Sequence, residues 1–453
     1  MSKKTISFIE VSLWLLVLCM LLLVISPYAM GLLVKQSYPQ MLQNVANSLQ
    51  AKLNIVQYQQ GYFKSSIRYQ IIFSAQKKLE FSEEIIHGPL YLGLINQSRS
   101  PFVAAVVQGK LLHGDVSAAL KPWLKDSELI YQYVMAYNGD ANIQAYLPAY
   151  QREFKSSSAL HVSAQYSSVK RNFSGVLKLP FFYMKTNDGQ LNAKKAELSF
   201  MLLASKGLFL EGDGLLSFQR IEYQSKGKQW SLHNLIVQLK NDQQDDYLNL
   251  SAHINVSEAF ASNERFGPLQ LALILSSLDA VTVQHLWNEP QVLLKGNLDS
   301  AIKALLPVLF KGAKFELRSM QLASDLGELQ AQFILSSDAL ASVTSADPLV
   351  LLNALNLSFN LNVDKALMQQ ILAWQLQSHA FNAGLSDQIN ADSLKQQVKE
   401  NLQGLVKDNW LRFDQQVYRC QLELSQGQAT LNQQPVDPLA HIMSQIQGPT
   451  TVQ

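Results

Sequence analysis

Hydrophobic and polar positions fall into three regimes along this chain. Residues 11–34 carry no charged side chain, and their centre, 13–25, reads LWLLVLCMLLLVI. Twenty-four residues of helix rise about 36 Å, enough to cross a ~30 Å hydrocarbon core with some tilt. Trp14 and Tyr28 lie toward the two ends, where aromatic rings favour the membrane interface, and Glu10 and Lys35 bracket the stretch with charge. A cleaved signal peptide fits less well, because a cut after Ala29 places Pro27 where a small residue is needed. A lipoprotein signal at Cys19 would have Leu18 before it, again not small. A soluble helix is rarely apolar on every face for this length. The pattern therefore predicts an uncleaved anchor at 11–34 after a short N-terminus, 1–10. Lys3 and Lys4 before the span, against Lys35 and Lys52 after it, lean toward the N-terminus inside and the body outside.

The second regime is helical. Met41, Val45, Leu49 and Leu53 make one stripe, predicting a juxtamembrane helix within 35–60. The third begins after Gly61, where the period falls to 2: Ile67, Tyr69, Ile71 and Phe73 alternate with Arg68, Gln70 and Ile72. Similar segments recur at 79–86, 102–112, 129–137, 159–166, 173–184, 196–203, 208–218, 230–239, 247–256 and 269–275. Turn signals such as Asn138-Gly139-Asp140 and Asn187-Asp188-Gly189 separate many of them. Such a series predicts an antiparallel meander over 61–278. From 279 helices enter, at 279–287, 298–310, 365–378 (with Asp364 as cap) and 388–406, between strands at 314–322, 328–336, 355–363, 417–424 and 428–431. The fold class is thus β-rich α+β, with one transmembrane helix, a meandering sheet, and an α+β unit at 279–447. The tail 448–453, which opens on Gly448-Pro449, reads as disordered. Gly88-Pro89-Leu90 and Gly267-Pro268-Leu269 hint at two copies of one β unit.

Composition narrows the function classes. The 453 residues are 48% hydrophobic and only 16% charged, with a net charge of +2. That field is too weak for nucleic acid, and Gln, Asn and Ser supply polar surface in place of charge. Of the two cysteines, Cys19 lies in the apolar stretch and Cys420 in the body, so a bilayer would keep them apart.

Four features resemble one family. They are the short N-terminus with one span; Gly61-Tyr62-Phe63-Lys64-Ser65-Ser66 opening the first strand; His87-Gly88-Pro89-Leu90; and Gly427-Gln428-Ala429-Thr430-Leu431-Asn432 followed by Asp437-Pro438-Leu439. In this order they resemble the YdgA/YihF-like family of Gram-negative envelope proteins, whose domain has no assigned function. The resemblance implies an inner-membrane anchor and a periplasmic body. It brings no catalytic residues.

Chemistry is sparse. The eight histidines form no H-x-x-x-H pair and there is no CxxC, so neither a metal site nor a cofactor is expected. Gly212-Asp213-Gly214 has Ser217 where a dinucleotide loop needs its third glycine, and reads as a hairpin turn. Glu83-Glu84 and Asp245-Asp246 are neighbours that point to opposite faces of a strand, and both pairs read as solvated. His87, Gly88 and Pro89 are the candidate binding residues, where an imidazole meets a tight turn; the same residues also suit a plain strand end. Phe181-Phe182-Tyr183 and 349–352 could line a lipid groove or simply be core. Two functions remain open. One is a non-enzymatic binding or scaffolding protein, with a protein partner, a homo-oligomer, or a lipid held on an apolar face. The other is an envelope hydrolase assembled around His87.

Overall fold

The computed structural model describes residues 8–48, 51–74, 77–97, 101–112, 129–152, 154–186, 189–203, 211–225, 228–261, 264–288, 311–337, 353–382 and 391–437; for 8–24 the helix path alone is described. The chain forms two compact units, Met1–Lys185 with Ala196–Leu203, and Thr186–Lys195 with Ala204–Gln453.

The first unit opens with helix α1, Phe8–Ser48, which runs on through Pro27 and Pro39. The expected anchor lies within it. Among the described residues no helix is long and apolar enough to cross a membrane. Strands β1 (Lys52–Gln60), β2 (Lys64–Ser74), β3 (Lys77–His87), β4 (Ala105–Leu111), β5 (Ile130–Met135) and β6 (Ala141–Leu147) follow. Then come β7 (Tyr150–Arg152), β8 (Lys155–Ser157), β9 (Leu160–Ser167), β10 (Asn172–Lys185) and β11 (Gly189–Leu203), the last divided between the units. Strands β1 to β6 pair antiparallel in sequence order, β6 pairs β9, and β9 pairs β10. Gly139 makes the β5–β6 turn at φ +84°, a conformation that favours glycine. One face of β1–β4 lies under α1, joining Val34, Tyr38 and Leu42 to Ile67, Ile71, Ile85 and Val107. The other face of β3–β5 buries Val106 and Val134 under a 3-10 turn at Leu92–Gln97.

The helical expectation for 35–60 needs correction. The helix ends at Ser48, and Lys52–Gln60 is strand β1. Leu53 fits a strand as well as a helical stripe, and pairing of Lys52–Gln60 with β2 decides for the strand. The buried helix stripe also lies one residue later than the spacing suggests, at Val34, Tyr38, Leu42 and Ala46.

The second unit carries β12 (Glu211–Ser225), β13 (Lys228–Gln244), β14 (Tyr247–Val256), β15 (Glu258–Ala261), β16 (Glu264–Asp279), α2 (Ala280–Asn288), β17 (Lys314–Ser324), β18 (Gly327–Ser337) and β19 (Leu355–Asp364). Helices α3 (Lys365–Asn382) and α4 (Ala391–Lys407) precede β20 (Arg412–Asp414), β21 (Val417–Ser425), β22 (Gln428–Leu431) and β23 (Gln434–Val436). The antiparallel order is β12-β13-β14-β16-β17-β18-β19-β21-β22-β23. The expected division at 278/279 falls inside this sheet. Strand β16 ends there but pairs on with β17, so the sheet continues across it. Asp279 caps α2, accepting 2.8 Å from Thr282 N–H. Asp364, the expected cap of α3, turns to the sheet and accepts 2.8 Å from Glu328 N–H. The expected segments 298–310, 349–352 and 448–453 lie outside the described residues.

Register makes one face of this sheet apolar. Leu248, Leu250, Ala252, Ile254 and Val256 of β14 stand with Leu269, Leu271, Leu273 and Leu275 of β16. Phe315, Leu317, Met320 and Leu322 of β17 continue the face, then Leu329, Ala331, Phe333 and Leu335 of β18. Leu357, Phe359, Leu361 and Val363 of β19 and Tyr418, Cys420, Leu422 and Leu424 of β21 complete it. The reverse face of β14 shows Asn249, Ser251, His253 and Asn255, and that of β19 Asn356, Ser358, Asn360 and Asn362. α2 covers one part of the apolar face through Val283. α3 and α4 cover another, over Val363, Leu329 and Cys420, where burial pushes the Cys420 thiol up from its ordinary pKa. Between these covers Leu239 is 53% and Leu273 36% exposed among the described residues.

Candidate functional site

Beneath α1 the first unit buries polar chemistry. Strand alternation turns Phe81, Glu83, Ile85 and His87 of β3 toward the helix. Glu83 is only 3% exposed, which corrects the expectation of a solvated pair. Its neighbour Glu84 points the other way, and its carboxylate is 45% exposed and pairs with Lys64 at 3.0 Å.

Three phenols meet the Glu83 carboxylate. Tyr38 of α1 donates to Oε2 at 2.5 Å, Tyr69 of β2 donates to Oε1 at 2.8 Å, and Tyr131 of β5 donates to Oε1. The cross-strand row explains how β5 reaches so far. Glu83 stands opposite Gly109 of β4, and Gly109 opposite Tyr131. A Cβ on Gly109 would come within 2.5 Å of the Tyr131 hydroxyl, so the missing side chain is what lets that ring lie across β4. Burial pushes the Glu83 carboxyl up from the ordinary carboxylate range, and the hydrogen bonds from Tyr131, Tyr38 and Tyr69 pull the other way without cancelling it. Burial first, then the Glu83 charge, pushes the Tyr69 and Tyr131 phenols far up, and burial does the same to Tyr38. The phenols stay protonated and act as donors. The arrangement pins a helix to a sheet, and Tyr38 and Tyr69, each 4% exposed, close it to solvent.

His87 is the next inward residue but one, about 13 Å from Glu83 along the strand, and 3% exposed. Its Nδ1 lies 3.2 Å from the Tyr62 carbonyl, which only accepts, so in the neutral ring Nδ1 carries the proton and Nε2 accepts from Ser65 Oγ at 3.0 Å. Gly31 of α1 packs on the imidazole: a Cβ there would come within 2.5 Å of Cε1. Gly88 N–H donates 2.9 Å to the Ala104 carbonyl, and the Gly88-Pro89 peptide is cis, as is Gly267-Pro268. The three candidate residues thus sit together, with His87 sealed under the helix, Gly88 buried against the Val103–Ala104 backbone and Pro89 half-buried. Sequence reasoning missed Glu83 and its phenols. Its inward place between Phe81 and Ile85 was the available signal. Among the described residues no cluster of His, Cys, Asp or Glu could hold a metal ion.

A cleft of about 390 Å³ lies on strands β5, β6, β9 and β10, with Tyr146, His161 and Lys178 in its wall. The Tyr146 and His161 rings are 5.1 Å apart, and Lys178 pairs with Glu197 at 3.6 Å.

Comparison places the whole arrangement in one family. The model for DUF945, bacterial protein of unknown function, matches residues 3–438. The chain belongs to DUF945. That match takes in the Glu83 pin, the His87-Gly88-Pro89 corner and the apolar sheet face of the second unit alike. No curated protein and no solved structure gave a significant match to this DUF945 chain.

Proposed function

We propose that this DUF945 chain is a non-enzymatic, single-span protein of the bacterial inner membrane, with a cytoplasmic N-terminus and a periplasmic body whose second-unit sheet binds lipid. The carrying observation is the apolar face that register builds from β14 to β21, with Leu239 and Leu273 exposed between the covering helices. An acyl chain suits a face with so little hydrogen-bonding capacity. The anchor rests on the uncharged stretch 11–34 inside α1. Placement among the YdgA/YihF-like members rests on Gly61-Tyr62-Phe63 and His87-Gly88-Pro89-Leu90.

Photo-crosslinking tests the lipid reading. Full-length protein is irradiated in membranes with a diazirine-bearing fatty acid, and the modified peptides are mapped. Label in β13, β14, β16 and β17 is expected. Label in α1 alone would leave the anchor standing and end the lipid-face reading.

The hydrolase reading has one observation in its favour, the Ser65–His87 hydrogen bond. Against it, Ser65 is 1% exposed and α1 lies over the imidazole, so a substrate carbonyl reaches the hydroxyl only if the helix leaves.

A further inference from the structure

Exposed aromatic residues of the first unit are spread over its sheet, Phe73, Phe154 and Tyr166 among them, but one end brings several together with exposed leucines. Phe63 is 61% exposed in the β1–β2 turn, beside Tyr62. Leu92 and Phe102 are 62% and 63% exposed in the β3–β4 connection, where Leu90 bridges to Phe102. These two connections are one surface. His87 N–H donates 2.8 Å to the Phe63 carbonyl, tying the turn to the end of β3. Tyr62 stacks on Tyr28 of α1 at 5.6 Å and meets Phe63 edge-on at 4.8 Å. Gly31, one turn further along the helix, packs on His87. The surface therefore stands at the level of helix residues 28–31, the last turns of the apolar stretch. Ile25, Leu32 and Leu33 are exposed on the same part of the helix.

We infer that this end of the first unit, Tyr62, Phe63, Leu90, Leu92 and Phe102 around the helix, seats in the lipid interface as a second membrane contact. The inference rests on the reading of α1 as an anchor. Because the sheet packs on the helix from Tyr28 and Gly31 onward, a bilayer that holds the earlier part of 11–34 must end near Tyr28, and whatever protrudes beside Tyr28 meets its headgroup layer. Tyr62, a ring with a polar edge, suits that layer, and Phe63, Phe102 and the leucines suit the acyl boundary beneath it. An apolar group of this size facing water would be a liability in a protein with no use for it. The Gly-Tyr-Phe and His-Gly-Pro-Leu motifs acquire a shared role: His87 and Gly88 hold the two connections together, and their flanking side chains face the lipid.

Depth-dependent quenching tests it in the full-length protein reconstituted in phosphatidylcholine–phosphatidylglycerol vesicles. An environment-sensitive fluorophore is placed on Phe63→Cys, Leu92→Cys or Phe102→Cys, each with Cys19→Ala; Cys420 is buried and stays. Phe73→Cys, about 33 Å further along β2 and also exposed, is the distal control. Native Cys19 reports on the anchor. Labels at 63, 92 and 102 are expected to lose most of their emission to nitroxide lipids while the label at 73 keeps its own. Should they stay as bright as the label at 73 while Cys19 is quenched, the interface contact is overturned and the anchor survives. A bright Cys19 removes the anchor and this contact with it. Labels at 63, 92 and 102 shielded from nitroxide lipid and aqueous iodide alike would mean that a protein covers the surface, and would also overturn the proposal.

Discussion

The two units lay a helix over a sheet in similar ways and fill the space between with opposite chemistry. Under α1 lie a carboxylate, three phenols, an imidazole and a serine hydroxyl. Under α3, against its own Leu367, lie Val363, Leu329 and Phe266. The residue before each Gly-Pro pair makes the contrast sharp. His87 packs on a helix glycine, whereas Phe266 meets the edge of Trp374 at 4.9 Å. Apolar packing is non-directional and adapts to small shifts. Hydrogen bonds to one buried carboxylate hold only at one rotation and height of the helix. The α1 interface is thus specified by direction as well as by volume.

The largest effects should come from deleting the centre of each interface. Glu83→Ala leaves three buried phenols without their acceptor and should cost the first unit roughly 3 kcal/mol or more. Leu367→Ala, at a position with 0% exposure, should cost the second unit about 2–5 kcal/mol. Amide hydrogen exchange separates them: β2–β4 should lose protection in the first variant, β18, β19 and α3 in the second. The same strands opening in both would erase the distinction between the cores.

Gly109→Ala comes next. It should displace the Tyr131 ring and cost about 1–3 kcal/mol. Adding Tyr131→Phe should then cost little more, because the hydrogen bond is already lost; additive penalties would show that Gly109 does not govern it.

Glu83→Gln tests the direction of the titration. Burial raises the folded carboxyl, so the folded state keeps a proton that the unfolded chain has released. Its stabilising contribution is complete below the ordinary carboxylate pKa and is lost as pH rises through the raised value. Wild type should therefore lose stability relative to Glu83→Gln as pH climbs out of the carboxylate range. Denaturant titrations at stepped pH measure the gap, and a gap that stays flat or moves the other way counts against a raised Glu83. Smallest of all, Glu84→Gln should change stability by less than about 0.5 kcal/mol, because its pair with Lys64 is solvated.

Most strands were legible because period-2 alternation is local. The run Leu269, Leu271, Leu273, Leu275 announces its face without help from any other strand. β1 was hidden because Leu53 fits a helical stripe as well as a strand, and only the partner β2 decides between them. Glu83 was hidden for a different reason. A carboxylate is assigned to water by type, and the phenols that overrule this lie 45 residues earlier at Tyr38 and 48 residues later at Tyr131. The histidine corner was visible as a motif, but the helix that seals it comes from 56 residues upstream, at Gly31. The arrival of helices at 279 does not end the sheet, because β16 pairs on with β17, a long-range pairing that local pattern does not announce.

Only residues 49–51 separate α1 from β1, and Tyr38 is fixed to β3 well before the helix ends. On the anchored reading proposed above, such a mast would leave the body no leash. Its search volume would then be set by diffusion in the plane of the membrane, with little tumbling or reach of its own. Binding surfaces on the first unit would keep one height and one tilt above the lipid, so a partner in the same plane meets them already oriented and with less rotational entropy left to lose.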